Sequence, residues 1–255
     1  SMFSHFSTPR MECLLLLTNF LIPCSLSVYC LIHQPLLDFR PYKVGASIPE
    51  NMIIPEGAPT DIYETILVYE KNGEKQEFTQ DNFPWQDTTW KWVETKQNLV
   101  SKGYEPPVHD FNITDDAGND ITERILSDSG YTFLIVSPFL EKASGKGLER
   151  MNALALRARE LGFSVYCLTA STNNRINQFT SDFQPAFPIC TADETTLKTI
   201  LRANPGLLIL QRGTILAKWN HPDVPDAGEI KSDLMSFLMD NRRIAQFWFV
   251  ILFGT

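Results

Sequence analysis

Apolar residues are distributed very unevenly along the chain. Cys13 to Ile32 is an uncharged run of twenty residues, CLLLLTNFLIPCSLSVYCLI. At 1.5 Å per residue, a helix of that length spans about 30 Å, the thickness of a bilayer core. Pro23 lies inside the run, and membrane helices tolerate proline better than soluble ones do. The pattern predicts a transmembrane helix over residues 11–34. Two alternatives stay open. One is a cleaved signal peptide, although Arg10 is a thin basic flank and no small-x-small cleavage site follows. The other is a buried soluble helix, although the run has no polar face. Near the other end, Ile244 to Phe253 (IAQFWFVILF) is too short to span a bilayer. The segment 242–255 reads either as the start of a second membrane helix cut short, or as a short helix packed on the domain or dipping into the interface with Trp248 as anchor.

Between these ends the pattern is that of a globular protein. Pro41, Pro49, Pro55 and Pro59 predict an extended tether over about 40–60. Ile62 to Glu70 is rich in β-branched and aromatic residues. Asn72-Gly73 is a type I′ turn pair, and Glu74 to Thr79 returns. Thr88 to Val100 predicts a third strand, with a helix as the alternative. Its Trp90 and Trp92 read as packing residues rather than a binding platform. Residues 35–105 are thus a tether and a small β subdomain.

From Pro106-Pro107 onward the alternation becomes β and α. Phe111 to Thr114 and Asp120 to Thr122 predict short strands about a turn at Ala117-Gly118-Asn119. Tyr131 to Val136 (YTFLIV) is continuously apolar, as expected of a strand buried on both faces. Leu148, Met151, Leu154, Ala155, Ala158 and Leu161 recur at helical spacing, and Gly162 ends the helix. Phe163 to Leu168 predicts a second buried strand, Asn174 to Phe183 a helix, and Phe187 to Cys190 a short strand. Asp193 to Ala203 predicts a helix with Asp193 as cap. Leu207 to Gln211 and Thr214 to Trp219 predict a hairpin across Arg212-Gly213, and Ile230 to Asn241 a final helix. The fold class is α/β with a mixed sheet flanked by helices.

Composition narrows the function classes. The 255 residues carry 22 Lys+Arg against 30 Asp+Glu, a formal charge of −8. That balance argues against a nucleic-acid groove, so no nucleic-acid partner is expected. Five cysteines are too few for a disulfide scaffold, and their spacing fits no zinc motif. His109-Asp110 and His221 near Asp223 read as surface polar groups, and Gly145-Lys146-Gly147 as a solvated loop short of a phosphate-loop pattern. No metal and no cofactor are expected.

Val108-His109-Asp110-Phe111 to Ile121, Phe187-Pro188-Ile189-Cys190 to Asp193, and Asn204-Pro205 before Gly206-Leu207-Leu208-Ile209 together resemble the thioredoxin fold in its TlpA/peroxiredoxin-like form. The resemblance covers about 105–240 and implies a thioredoxin-like three-layer sandwich over 106–241, with a cis Asn204-Pro205 bond beside the active-site position. A second set is similar to the C-terminal region of bacterial DoxX/MauE-type membrane proteins. It comprises Asp38-Phe39-Arg40-Pro41-Tyr42, Ile48-Pro49-Glu50, Gly103-Tyr104-Glu105-Pro106-Pro107, Tyr166-Cys167-Leu168-Thr169-Ala170-Ser171 and Asp193 to Leu208. That likeness implies a bacterial inner-membrane protein whose domain is extracytoplasmic (periplasmic). Its implied partners are the membrane, a four-helix DoxX/MauE-type membrane domain, or another extracytoplasmic protein. The few basic residues flanking the apolar runs point weakly the other way.

A thioredoxin oxidoreductase needs a cysteine at the helix N-terminus after the central strand, where the dipole and free N–H groups lower its pKa. Here that stretch is Ser137-Pro138-Phe139-Leu140-Glu141-Lys142-Ala143-Ser144, without a cysteine. A serine hydroxyl is far too weak an acid to replace a thiolate. The expectation is therefore a non-catalytic binding or accessory module. Its contact surface would be the vestigial active-site face: Ser137, Pro138, Phe139, Leu140, Glu141, Lys142, Asn204 and Pro205. Cys167 and Cys190 fall on or near the ends of predicted strands that are neighbours in the fold the chain resembles, and neighbouring strands lie about 4.8 Å apart. They read as buried thiols, a disulfide, or a relocated redox pair serving a thiol–disulfide oxidoreductase.

Overall fold

A computed structural model describes residues 19–21, 23–25, 27–29, 33–35 and 38–240. The predicted membrane span at 11–34 and the apolar segment at 242–255 lie largely or wholly outside these residues. Those described at 19–21, 23–25 and 27–29 are helical. Among the described residues, no helix is long and apolar enough to cross a membrane. The chain divides into two units, Met52–His109 and the remainder on either side of it.

The smaller unit is an antiparallel sheet of β1 (Ile62–Lys71), β2 (Glu74–Thr79) and β3 (Lys91–Ser101), in the order β2-β1-β3. Asn72 and Gly73 take positive φ values of 55° and 83°, as the type I′ turn requires. Tyr69, Phe78, Phe83 and Trp90 pack edge-to-face or stacked. Trp90 is thus a packing residue, but Trp92 is 60 % exposed, a departure from the sequence reading. Irregularities in the β1–β3 pairing fall near both ends of β3. The two ends of this unit meet: Tyr104 N–H donates to Pro59 O (2.8 Å) and Gly103 N–H to an Asp61 carboxylate oxygen (2.7 Å). A Cβ on Gly103 would lie 2.4 Å from Pro59 O, so this crossing demands glycine.

α1 (Ile48–Met52) ends at the boundary between the units, and in the larger unit α2 (Thr122–Leu126) precedes β4 (Tyr131–Val136). Then follow α3 (Gly145–Glu160), β5 (Ser164–Thr169), α4 (Asn173–Phe183), β6 (Ile189–Thr191), α5 (Glu194–Ile200), β7 (Gly206–Gln211) and β8 (Thr214–Asn220). Residues 234–240 form α6. The sheet order is β6-β5-β4-β7-β8. β4, β5 and β6 run parallel, and β7 and β8 are antiparallel to their inner neighbours. That order and those directions fit a thioredoxin-like fold, and the Asn204–Pro205 bond is cis.

Strand alternation splits the core between the two faces of the sheet. Phe133, Ile135, Val165, Cys167, Leu207, Ile209 and Ala217 pack with Met151, Leu154, Ala155 and Ala158 of α3 and with Leu234 and Leu238. Leu134, Val136, Leu168, Leu208 and Leu210 alternate to the other face and are fully buried. Each such side chain contributes roughly 1.5–3 kcal/mol.

Several sequence expectations need correction. Residues 38–51 are not a free tether. Ile48 is fully buried, Gly45 N–H donates to Ile215 O (2.7 Å), and Ile215 N–H donates to Ala46 O (2.9 Å). The segment is a strap that covers the open edge of β8. The expected hairpin at 111–122 reduces to one bridge, Thr114 to Asp120, because Thr114 also pairs with Thr191 at the β6 edge. Asp120 accepts from Thr122 N–H (2.9 Å), which turns the chain into α2 instead of a return strand. α3 begins at Gly145, so Gly145-Lys146-Gly147 is helix and not loop. α5 stops at Ile200, short of the expected Ala203. α6 starts four residues after Ile230, because a capping box at Asp226 and Glu229 first makes a single 3₁₀ turn.

Candidate functional site

The carboxyl ends of β4 and β5, the start of α3 and the approach to β7 converge at the loop 137–144. Ser137 is buried, and its hydroxyl donates to Asn204 Oδ1 at 2.6 Å. Asn204 Nδ2 donates to Phe139 O (2.8 Å), and Ser144 N–H donates to Asn204 O (3.0 Å). One asparagine therefore clamps the beginning, middle and end of the loop. Ser144 caps α3, its hydroxyl accepting from Gly147 N–H at 3.3 Å. Gly147 lies against Pro205: an added Cβ would stand 2.9 Å from Pro205 Cδ and 3.0 Å from His221 Cβ.

A second polar network holds the loop from the β5 side. Ser171 Oγ accepts from Leu140 N–H (2.9 Å) and donates to Glu141 Oε2 (3.0 Å). Ala170 N–H donates to Pro138 O (3.1 Å). Leu140 is buried in the core and opens a 3₁₀ turn ending at Lys142. Glu141 keeps its carboxyl below the usual range: its own backbone N–H acts most, burial opposes it, and the Ser171 hydroxyl with the nearby Arg175 and Lys142 charges tips the balance downward. Above this frame, Lys142 Nζ and Lys198 Nζ lie 4.6 and 5.1 Å from the centre of the Phe139 ring. The eight residues of the predicted face lie around one loop, but Ser137, Pro138, Leu140 and Pro205 are buried, so only Phe139, Glu141, Lys142 and part of Asn204 reach the surface. Ser137 and Asn204 spend their polar atoms on each other and on backbone, so the arrangement offers a shaped, fixed surface and no thiol.

The cysteines are not brought together. Cys167 pairs in register with Ile189, and Leu168 with Cys190. Register partners share a face, so Cys167 and Cys190 point to opposite faces of the sheet. Both are free and buried. Burial pushes the Cys167 thiol far above its ordinary pKa. Burial, aided by the charges of Asp115 and Asp116, pushes Cys190 up to about 11. A thiolate nucleophile needs the opposite shift. Of the three readings, two buried thiols is the one this geometry matches, and the alternatives of a disulfide or a redox pair between them do not fit it.

Sequence reasoning missed a buried charge cluster under the strap. Lys218 Nζ pairs with Asp38 and donates to Tyr42 O (2.9 Å) and Ile200 O (3.1 Å). Arg40 grips the same carboxylate through Nε (2.8 Å) and Nη2 (3.0 Å), and donates to Thr199 O (3.1 Å). Burial works to raise the Asp38 pKa, but the hydrogen bonds from Arg40 and Lys218 outweigh it and hold the group at about 2. The readable signal was a lysine in the apolar strand Thr214 to Asn220. Among the described residues, no group of His, Cys, Asp and Glu is arranged to hold a metal ion. His109 is exposed, and His221 packs beside Gly147.

A family model described as a domain of unknown function, DUF8463, matches residues 63–102, the three strands of the smaller unit. No curated protein matches the chain. Solved structures similar to it include a putative thiol:disulfide interchange protein DsbE from Chlorobium tepidum, 13 % identical over 44 % of this chain and 80 % of that one, with a TM-score of 0.35. A putative thioredoxin from Neisseria meningitidis is 16 % identical over 54 % and 87 %, at 0.38. Peroxidoxin BcpB from Mycobacterium tuberculosis is 16 % identical over 54 % and 94 %, at 0.36. The fold of this chain is defined by its own strand order and strand directions.

Proposed function

We propose that this chain is a thioredoxin-like binding or accessory module that works without thiol chemistry. Its contact surface is the loop Ser137 to Lys142 with Asn204-Pro205, presented through Phe139, Glu141, Lys142 and part of Asn204, with Ser137, Pro138, Leu140 and Pro205 buried beneath as its support. The observation that carries the reading is the start of α3: where a thioredoxin oxidoreductase needs a reactive sulfur, the helix N-terminus is capped by the Ser144 hydroxyl and tied to Asn204, which also clamps Ser137. The buried, separated thiols of Cys167 and Cys190 add support. In this proposal the module is tethered to a bacterial inner membrane by the apolar run at 11–34 and faces the periplasm. There it serves a DoxX/MauE-type four-helix membrane domain or another extracytoplasmic protein. The resemblance set out from the sequence motivates that placement.

The test is reduction of insulin and of glutathione disulfide by the purified chain. No turnover above the uncatalysed rate is expected. Turnover that disappears in Cys190→Ser refutes the reading. Protease accessibility of the 38–240 region in intact and permeabilised cells tests the placement, with protection in spheroplasts as the refuting result.

A further inference from the structure

Cations gather around the loop face. Lys142 and Lys198 converge on the ring of Phe139. Arg175, in the first turn of α4, stands close enough to Glu141 to lower its pKa. Lys146 lies in the first turn of α3, whose cap residue Ser144 is bonded to Asn204, and Arg202 lies two residues before Asn204. All five cations are exposed. Three carboxylates accompany them. Asp193 caps α5 by accepting from Thr196 N–H. Glu194 is paired with Lys198, and Glu141 is occupied by Ser171. Lys142, Lys146 and Arg202 have no ion pair among the described residues. The N-termini of two long helices, α3 and α4, face the same end of the sheet and add their positive dipole ends. Around this loop the five named cations outnumber the three carboxylates, in a chain whose formal charge is −8.

We infer that this spot docks an acidic segment of a protein partner, with Lys142, Lys198, Arg175, Lys146 and Arg202 meeting its carboxylates and Phe139 supplying an apolar contact. The inference rests on the reading of the loop face as a contact surface and names the chemistry of what it contacts. The charge balance selects the occupant: five cations stand in a chain whose formal charge is −8. An extended anionic surface, such as a lipid bilayer or a nucleic acid, would be repelled by the acidic remainder of the chain. A short acidic peptide meets only the local field, which sets partner choice and on-rate.

The probe is a fluorescein-labelled peptide of alternating Glu and Phe, compared with its Gln counterpart. Binding is read by anisotropy with the full chain held in zwitterionic nanodiscs. The Glu peptide is expected to bind about tenfold tighter than the Gln peptide, and Lys142→Glu with Lys198→Glu to weaken it about tenfold. Raising salt from about 50 mM to about 300 mM should abolish most of the difference. Equal affinity for the two peptides overturns the inference, as does binding indifferent to the charge reversals. So does a stronger response to phosphatidylserine vesicles than to the peptide. Circular dichroism of the double variant separates misfolding from lost binding, and Arg202→Glu gives an independent reversal if the double variant unfolds. Failure here leaves the thiol-independent reading intact, because that reading falls only to disulfide-reductase turnover.

Discussion

Removing the carboxylate of Asp38 is the sharpest perturbation of this fold. Lys218 is 3 % exposed and Asp38 13 % exposed at the side chain, so the pair lies largely out of water. With Asp38→Ala, Lys218 retains only the carbonyls of Tyr42 and Ile200, and the Arg40 guanidinium beside it loses its counterion. Leaving a buried charge uncompensated costs about 3–5 kcal/mol. In a chain of this size that corresponds to a fall in Tm of roughly 10 °C. Replacing both partners is much milder, so Asp38→Ala with Lys218→Met should recover most of the loss. Urea unfolding gives the totals. Hydrogen exchange at Gly45 and Ile215, whose amides join strap to β8, locates the effect. A loss below about 1 kcal/mol, the size of an exposed pair, refutes the reasoning. A double variant as unstable as the single one refutes it too. The pH dependence carries a sign. Asp38 is held at about 2 in the folded chain, below its ordinary value. Its contribution is therefore complete above the unfolded carboxylate range and is lost as pH falls towards 2. Asp38→Asn should remove that acid limb.

Three further outcomes are expected. Gly147→Ala should destabilise the larger unit by about 1–3 kcal/mol through overpacking against Pro205 and His221, despite its better helix propensity; an unchanged urea midpoint would show that the helix start can shift. Cys190 should resist alkylation at neutral pH and react only as pH nears 11, with Cys167 slower still, as measured by mass spectrometry of iodoacetamide-treated native protein. Ser171→Ala strips Leu140 N–H of its partner and should cost about 1–2 kcal/mol, with faster exchange at the Leu140 amide as the local readout.

The parts of this fold that were legible in the sequence are those where burial is total or spacing is regular. YTFLIV reads as a central strand because both its faces are covered, and α3 shows its apolar stripe from Leu148 onward. The first three residues of α3 escaped because Gly-Lys-Gly carries no periodicity, and what makes them helical is the Ser144 cap. The hairpin at 111–122 was misjudged because Asp120 turns the chain locally, a preference that apolar patterning does not record. The strap was mistaken for a tether because its prolines and glycines look alike whether the segment is free or pinned. For the site, the loop residues and Asn204-Pro205 could be gathered from the sequence because the α/β order brings them to one sheet end. The faces of Cys167 and Cys190 could not, since a register offset of one residue reverses them and only the paired strands reveal that offset.

The stitching of Gly103 and Tyr104 to Asp61 and Pro59 has an architectural consequence. A guest sequence whose entrance and exit are tied together presents its host with the ring-closure entropy of a short connection, however long the guest grows. The smaller sheet can lengthen, shrink or change its strands while the host sees the same narrow doorway.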